Sequence, residues 1–144
     1  GYAYVTPFDA IQHMAFVYGR IGDGKDMLAR LQSVRSELAD PDSGVASQQP
    51  SYARNPDRSV QPELLVAVGL CTHLGCIPSY QPEPGSLQPG WPGGFYCPCH
   101  GAKFDLAGRV FKGSPAPTNL LVPRYSFIAP QQLVIGRDAD GEAT

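Results

Sequence analysis

Two short segments contain all four cysteines of the chain and two of its three histidines. Motif 1 (CTHLGC) spans residues 71–76, and motif 2 (CPCHG) spans residues 97–101. Each motif holds two cysteines and one histidine, so each can offer a thiolate and an imidazole. Random scatter does not produce this pattern, and a centre served by both motifs requires a fold that brings the two segments together.

Three chemistries are compatible with these six side chains. In a secreted domain the cysteines form two disulfides, which leaves both histidines without a role. A structural zinc ion takes four of the six groups in a tetrahedron and makes the chain a zinc-stapled binding module. A 2Fe-2S cluster takes Cys71 and Cys97 on one iron and His73 and His100 on the other, with two cysteines left over.

The motif pair, C-x-H-x2-C followed by C-x-C-H-G, resembles the signature of the Rieske iron–sulfur family. This resemblance implies a 2Fe-2S cofactor held by the four ligands just named. In the cytochrome bc branch of the family the two remaining cysteines pair, which implies a disulfide between Cys76 and Cys99. Soluble Rieske ferredoxins that donate electrons to an oxygenase usually lack this pair, and they stay as an alternative.

The resemblance extends beyond the motifs, from about residue 41 to residue 136. Segments 59–66, 105–113 and 115–120 are similar to the Rieske subunit family of proteobacterial ubiquinol–cytochrome c reductases. This similarity implies one-electron transfer from quinol to a c-type cytochrome, with cytochrome b as a neighbouring subunit. It also implies an N-terminal membrane anchor, absent from this chain, that holds the domain at the periplasmic face of the bacterial inner membrane.

The resemblance assigns roles to residues within the motifs. His73 and His100 are the expected catalytic residues, one of which receives the hydrogen bond of the quinol hydroxyl. Leu74 corresponds to a leucine that lies on the cluster surface and touches quinone. Gly75 and Gly101 are expected to let the loops turn close to inorganic sulfur, where a side chain would collide.

Other expected features of the cluster environment lie after the motifs. Gly113, Pro115 and Pro117 match the proline loop that covers the cluster from a third side in the family. The bc branch usually has serine and tyrosine where this chain has Ala102 and Phe104, and their hydroxyls donate to cluster sulfurs. Because both donors are missing, we expect the reduced cluster to be less stabilised and the potential to be lower.

Composition favours short strands and excludes one class of partner. Glycine and proline number 16 and 15, so long uninterrupted helices cannot dominate. Eleven basic side chains against 13 acidic ones give a net charge of −2, and no basic cluster is present to neutralise a row of phosphates, so nucleic acid is not an expected partner. No apolar run approaches the roughly 20 residues that span a bilayer.

We expect a single all-β domain over residues 1–144, with an antiparallel β-sandwich base of about ten strands and one short helix. A cluster-binding subdomain at about residues 70–117 is inserted between base strands. Apolar spacing predicts the helix at 25–38, and the polar segment 41–62 is predicted to be a long surface loop without a functional signal. Strands are predicted at 14–18, 64–70, 95–96, 103–106, 109–111 and 132–135.

Overall fold

The computed structural model describes residues 3–5, 15–20 and 24–138. Within these residues the chain forms one α-helix and eight strands. Their bounds are β1 Ala3–Val5, β2 Ala15–Gly19, α1 Gly24–Val34, β3 Leu64–Val68, β4 Ser79–Gln81, β5 Gly94–Tyr96, β6 Lys103–Phe104, β7 Tyr125–Ala129 and β8 Gln132–Ile135. Met14, the first residue of the predicted early strand, lies outside the described residues, and β2 covers the rest of that prediction.

The strands form three small sheets, in the orders β1-β8-β7, β2-β3 and β4-β5-β6. Every pairing is antiparallel except that of β1 with β8, which is parallel. The prediction of a mostly antiparallel all-β fold with one short helix is therefore confirmed. The described residues contain fewer strands than expected, because segment 109–111 contributes only isolated bridges, from Val110 to Phe104 and from Phe111 to Leu38.

Strand β3 is the centre of the core. Its sequence LLVAV is buried at every residue, as the continuous apolar run predicts for a strand covered on both faces. Phe95, Phe104, Leu120 and Leu133 belong to the same core cluster and are each 0% exposed. Burying a side chain of this size contributes about 1.5–3 kcal/mol, so the strands that lead into the two motifs are firmly anchored.

Helix α1 confirms the helical prediction, although it ends before the predicted end at Leu38 and is continued by a 3-10 turn. Met27 and Leu31, one turn apart, are buried against Leu106 and Ala107. The helix therefore covers the turn that follows β6. Among the described residues no helix has the length and apolar character needed to cross a membrane.

The segment 41–62 forms a long loop with one 3-10 turn, Ser51–Ala53, and much of it is exposed, as expected, but residues 48–50, 53 and 57–59 are buried. Arg58 and Ser59 are only 3% and 1% exposed. The Arg58 guanidinium donates to the carbonyl oxygens of Ala107 at 2.9 Å and Leu120 at 2.8 Å. The polarity of this segment favours the surface, but composition does not reveal which polar side chains form buried hydrogen bonds.

The sequence did not predict strands β1, β4 and β7. Of these, β4 and β7 lie next to prolines, Pro78 and Pro82 around β4 and Pro130 after β7, which are turn signals. Pairing partners override that signal, since β4 adds to β5 and β7 adds to β8. In β7, the buried Tyr125 accepts a hydrogen bond from the backbone N–H of Val60 at 2.8 Å, so this strand also holds the polar segment in place.

Candidate metal centre

The two motifs form loops with the same backbone closure. In motif 1 the N–H of Cys71 donates to the carbonyl of Cys76 at 2.7 Å, and in motif 2 the N–H of Cys97 donates to that of Ala102 at 2.8 Å. A second bond in each loop runs from the glycine N–H back to the first cysteine carbonyl, at 2.9 Å in both. Strand β3 ends just before motif 1, and β5 and β6 flank motif 2. The two loops therefore share the same backbone hydrogen-bond pattern, and both are held by strands of the core.

Gly75 and Gly101 are needed for backbone conformation. Both have φ of +81°, in the left-handed region that favours glycine. A Cβ added at either position would meet no described atom within 4 Å. The left-handed turn alone therefore favours glycine at both positions, and the close approach of these loops to inorganic sulfur stays a prediction.

A disulfide joins the two loops. Cys76 and Cys99 are bonded, with an S–S distance of 2.10 Å across 23 positions of sequence, so the pairing implied by the resemblance is present. Cys71 and Cys97 remain free thiols and are 4% and 1% exposed. The interpretation of the motifs as two disulfides is therefore wrong, since two of the four cysteines are unpaired.

The two histidines lie beside each other where the Cys76–Cys99 disulfide joins the two motif loops, a region called the junction below. The ring centroids of His73 and His100 are 4.8 Å apart, and the rings are nearly perpendicular, at 85°. His73 is half-buried and His100 is exposed. The Nδ1 atom of His73 is buried and has no hydrogen-bond partner within the described part of the chain. A buried ring nitrogen is costly when unpaired, and a metal ion would satisfy it.

Two backbone amides partly offset the effect of burial on the Cys71 thiol. Burial raises the pKa of Cys71, and the backbone N–H groups of His73 and Leu74, which donate to its sulfur, oppose that rise. The neighbouring Cys97 side chain raises the pKa further. Amide donors of this kind stabilise a metal-bound thiolate.

A second set of three sulfurs lies close together but cannot act as a set of three ligands. The sulfurs of Cys76, Cys97 and Cys99 lie within 4.8 Å of one another. Two of them form the disulfide, and a disulfide sulfur is not a thiolate ligand. The available donors are two thiols and two imidazoles, one of each per loop. This donor set fits a 2Fe-2S cluster with mixed ligands and also satisfies the ligand count of a zinc ion.

Two hydrogen bonds connect residues in or beside the proline loop, residues 113–117, to residues in or beside the two motifs. The Thr72 hydroxyl donates to the carbonyl of Thr118 at 2.6 Å. On the other side the backbone N–H of Lys103 donates to the Ser114 hydroxyl at 3.1 Å. Sequence reasoning missed these two hydroxyls. The sequence signal for them is position alone: Thr72 lies between two candidate ligands, and Ser114 lies inside the proline loop.

Within the proline loop, Gly113 has φ of +79° and supplies its first turn. Pro115 and Pro117 are exposed on either side of the buried Ala116. The loop thus presents proline rings outward while one methyl group packs into the core.

The remaining residues of the expected cluster environment divide into a buried side and an exposed side. Ala102 and Phe104 are 0% exposed, while Leu74 is 68% exposed. Ile77, which sequence reasoning missed, is 60% exposed. The same junction therefore has a closed interior next to motif 2 and an apolar outer surface next to motif 1.

Comparisons with known proteins agree with this geometry. Residues 52–126 match the Rieske 2Fe-2S domain family. The ubiquinol–cytochrome c reductase iron–sulfur subunit of Allochromatium vinosum is 55% identical over 115 residues, which cover 78% of this chain and 55% of that subunit. The mitochondrial cytochrome b-c1 complex subunit Rieske of Solanum tuberosum is 52% identical over 80 residues, 56% of this chain and 27% of that protein.

A solved plasma membrane Rieske protein from Synechocystis PCC 6803 is 28% identical, with a TM-score of 0.38, over 51% of this chain and 65% of that one. The chain spans about half the length of the Allochromatium vinosum subunit and about a quarter of the Solanum tuberosum protein. The class of protein is that of iron–sulfur electron carriers. The chain belongs to the Rieske 2Fe-2S domain family, and its cofactor is a Rieske-type 2Fe-2S cluster.

Proposed function

We propose that this chain is the electron-transferring region of a quinol–cytochrome c reductase, where it oxidises quinol and reduces a c-type cytochrome. The observation that carries the proposal is the junction of two disulfide-linked loops, each with a buried free cysteine, whose histidine rings are 4.8 Å apart. The similarity to a bacterial subunit of that name supports the choice of complex. The disulfide disfavours the soluble ferredoxin alternative.

In this proposal Cys71 and Cys97 hold one iron, and His73 and His100 hold the other. When bound, the cluster supplies reversible one-electron transfer at a potential within the range of about −150 to +300 mV given for such centres. Neutral imidazoles would place less negative charge on the iron they hold than thiolates do, so His73 and His100 would raise the affinity of the bound cluster for an electron. The orphaned Nδ1 of His73 supports this ligand set.

The histidines also handle the proton of the reaction. A ligating imidazole keeps its second nitrogen free, so that nitrogen can accept a hydrogen bond or a proton from a substrate hydroxyl. The exposed ring of His100 is accessible to a quinol hydroxyl, and the half-buried His73 lies beside it. Leu74, which is 68% exposed, offers an apolar contact for the quinone ring.

We further propose one domain over residues 1–144 with a cluster-binding subdomain at about 70–117. The sheet β4-β5-β6 lies between these limits. The Thr72–Thr118 hydrogen bond joins the beginning of the proposed subdomain to the residue that follows its end. In the full-length protein an N-terminal membrane anchor holds this domain at the periplasmic face, where cytochrome b and a c-type cytochrome are its partners. The relatives named as subunits of such complexes support this arrangement.

The test is a redox titration at several pH values on the aerobically purified chain, monitored by EPR and visible circular dichroism. We expect a reduced-state EPR signal and a potential that falls as the pH rises, by up to about 59 mV per pH unit for each proton coupled to the electron. A potential that is independent of pH from 6 to 10 would remove the proposed proton role.

Ligand variants and a partner assay complete the test. Cys71→Ser and Cys97→Ser should lose bound iron, whereas Ser114→Ala, a matched change outside the ligand set, should retain it. The reduced chain should pass its electron to a soluble c-type cytochrome in stopped-flow absorbance experiments. Zinc without iron in elemental analysis would instead support the zinc-stapled module.

A further inference from the structure

A cavity of about 250 Å³ lies between the polar segment and the turn after β6, and no residue of either motif lines it. Its walls include three arginines, Arg54, Arg58 and Arg109, together with the amide side chains of Asn55 and Asn119. The function proposed above uses none of these residues.

The three guanidinium groups are not matched by carboxylates. Within the described part of the chain, none of Arg54, Arg58 and Arg109 forms a salt bridge. Asp42 also lines the cavity, but its carboxylate is paired with Arg35. The cavity wall therefore carries an excess of positive charge.

The carboxylates of Asp105, Asp42 and Asp57 act on Arg109 from a distance, and among the described residues none of them forms a salt bridge with it. Asp105 is 1% exposed, and its Oδ1 accepts from the backbone N–H groups of Ala107 at 2.9 Å and Arg109 at 2.7 Å. Its Oδ2 has no hydrogen-bond partner among the described residues. Asp105 thus offsets part of the charge from a distance and leaves the donors on the cavity wall unused.

Two buried guanidinium donors lack partners. Arg58 and Arg109 are each 3% exposed, and in both the Nε–H group has no acceptor within the described residues. Other donors of the same side chains are used structurally: Arg58 bonds three backbone carbonyls and the Gln49 side chain, and Arg109 bonds the carbonyl of Asn55 at 2.9 Å. An unpaired buried donor is costly, and both side chains also line the cavity.

We propose that this cavity binds a small tetrahedral oxyanion of the phosphate class. Arginine donors match phosphate oxygens in geometry and charge, and a dianion offsets more of the excess charge than a single carboxylate does. Burial lowers the pKa of Arg58 to about 10, so its guanidinium is still protonated at neutral pH. Arg54, which is exposed and has no hydrogen bond to a described residue, is free to close over the anion.

Occupancy of this site stabilises the polar segment against the turn after β6. Arg58 lies in the segment, and its side chain reaches the carbonyls of Ala107 and Leu120. Arg109 lies in the turn, and its side chain reaches back to Asn55. An anion that binds both arginines binds only the folded chain, so it raises the unfolding temperature in proportion to its affinity and concentration.

The test is calorimetric titration of the cluster-loaded chain with inorganic phosphate, at constant ionic strength set with chloride. We expect saturable binding, a rise in unfolding temperature with phosphate and about tenfold weaker binding by Arg54→Gln, which removes one charged donor. Arg137→Gln removes the same charge from an exposed position that does not line the cavity, and it should bind phosphate as the original chain does.

Specific outcomes would overturn the proposal. Absence of saturable binding, or equal affinities for Arg54→Gln and Arg137→Gln, would show that the cavity is not an oxyanion site. Acetate binding as tightly as phosphate would overturn the phosphate class. Co-sedimentation with phosphatidylglycerol vesicles, competed by inorganic phosphate and lost in Arg54→Gln, would identify a lipid headgroup as a source of the same chemistry.

Discussion

Restoring a hydroxyl next to motif 2 should raise the redox potential. Ala102 is 0% exposed, so water does not supply the hydrogen bond that a serine would donate there. Its carbonyl accepts from the N–H of Cys97 at 2.8 Å, which holds position 102 beside a proposed ligand. Phe104 is equally buried, and Phe104→Tyr provides a second, independent hydroxyl.

The magnitude follows from the difference between two oxidation states. A hydrogen bond to a charged acceptor contributes about 1.5–3 kcal/mol, and the reduced cluster, which carries one more negative charge, accepts it more strongly than the oxidised cluster. If the difference is about 1.4 kcal/mol, a one-electron couple moves by about 59 mV. We therefore expect Ala102→Ser and Phe104→Tyr each to raise the potential by about 60 mV.

The measurement is a redox titration of each variant at the same fixed pH. Ala107→Ser is the matched control, because Ala107 is also 0% exposed but packs under α1 and lies outside both motifs. Its potential should equal that of the original chain. Two variants that keep the cluster and the original potential would refute the reasoning, since neither added hydroxyl would then stabilise the reduced state.

Three further predictions concern stability. Replacing Cys76 and Cys99 by serine removes a cross-link over 23 positions and should lower the free energy of unfolding by about 3 kcal/mol; equal denaturation midpoints would contradict this. Thr72→Val removes the 2.6 Å bond to Thr118 and should cost about 1 kcal/mol, a loss that Thr72→Ser should not show. Burial raises the pKa of Asp105, so the folded chain holds this proton more tightly than the unfolded chain. Stability should then fall as pH rises from about 3.9 through the folded pKa, and Asp105→Asn should flatten that part of the pH profile.

The metal centre could be predicted from sequence because its information is local. A cysteine and a histidine within a few positions of each other, present twice, identify donors whatever lies between the motifs. The strand before motif 1 could also be predicted from the sequence, since β3 is apolar throughout. Helix α1 followed from the spacing of Met27 and Leu31, which the structure places on one buried face.

Long-range polar contacts could not be predicted in this way. The Arg58 side chain reaches Ala107 across 49 positions and Leu120 across 62, and nothing near Arg58 in sequence marks it as buried. Its own backbone has φ of +53°, an uncommon conformation for a residue with a side chain. The same holds for Thr72, whose hydroxyl acceptor lies 46 positions away.

These long-range contacts explain how the junction can be accessible and still rigid. The Cys76–Cys99 disulfide fixes motif 1 to motif 2, and the Thr72 and Ser114 hydroxyls connect residues in or beside the proline loop to residues in or beside both motifs. Ala102 and Phe104 close the inner side. His100 and Leu74 are left on the outer side, so this side of the junction exposes one imidazole ring and one apolar side chain.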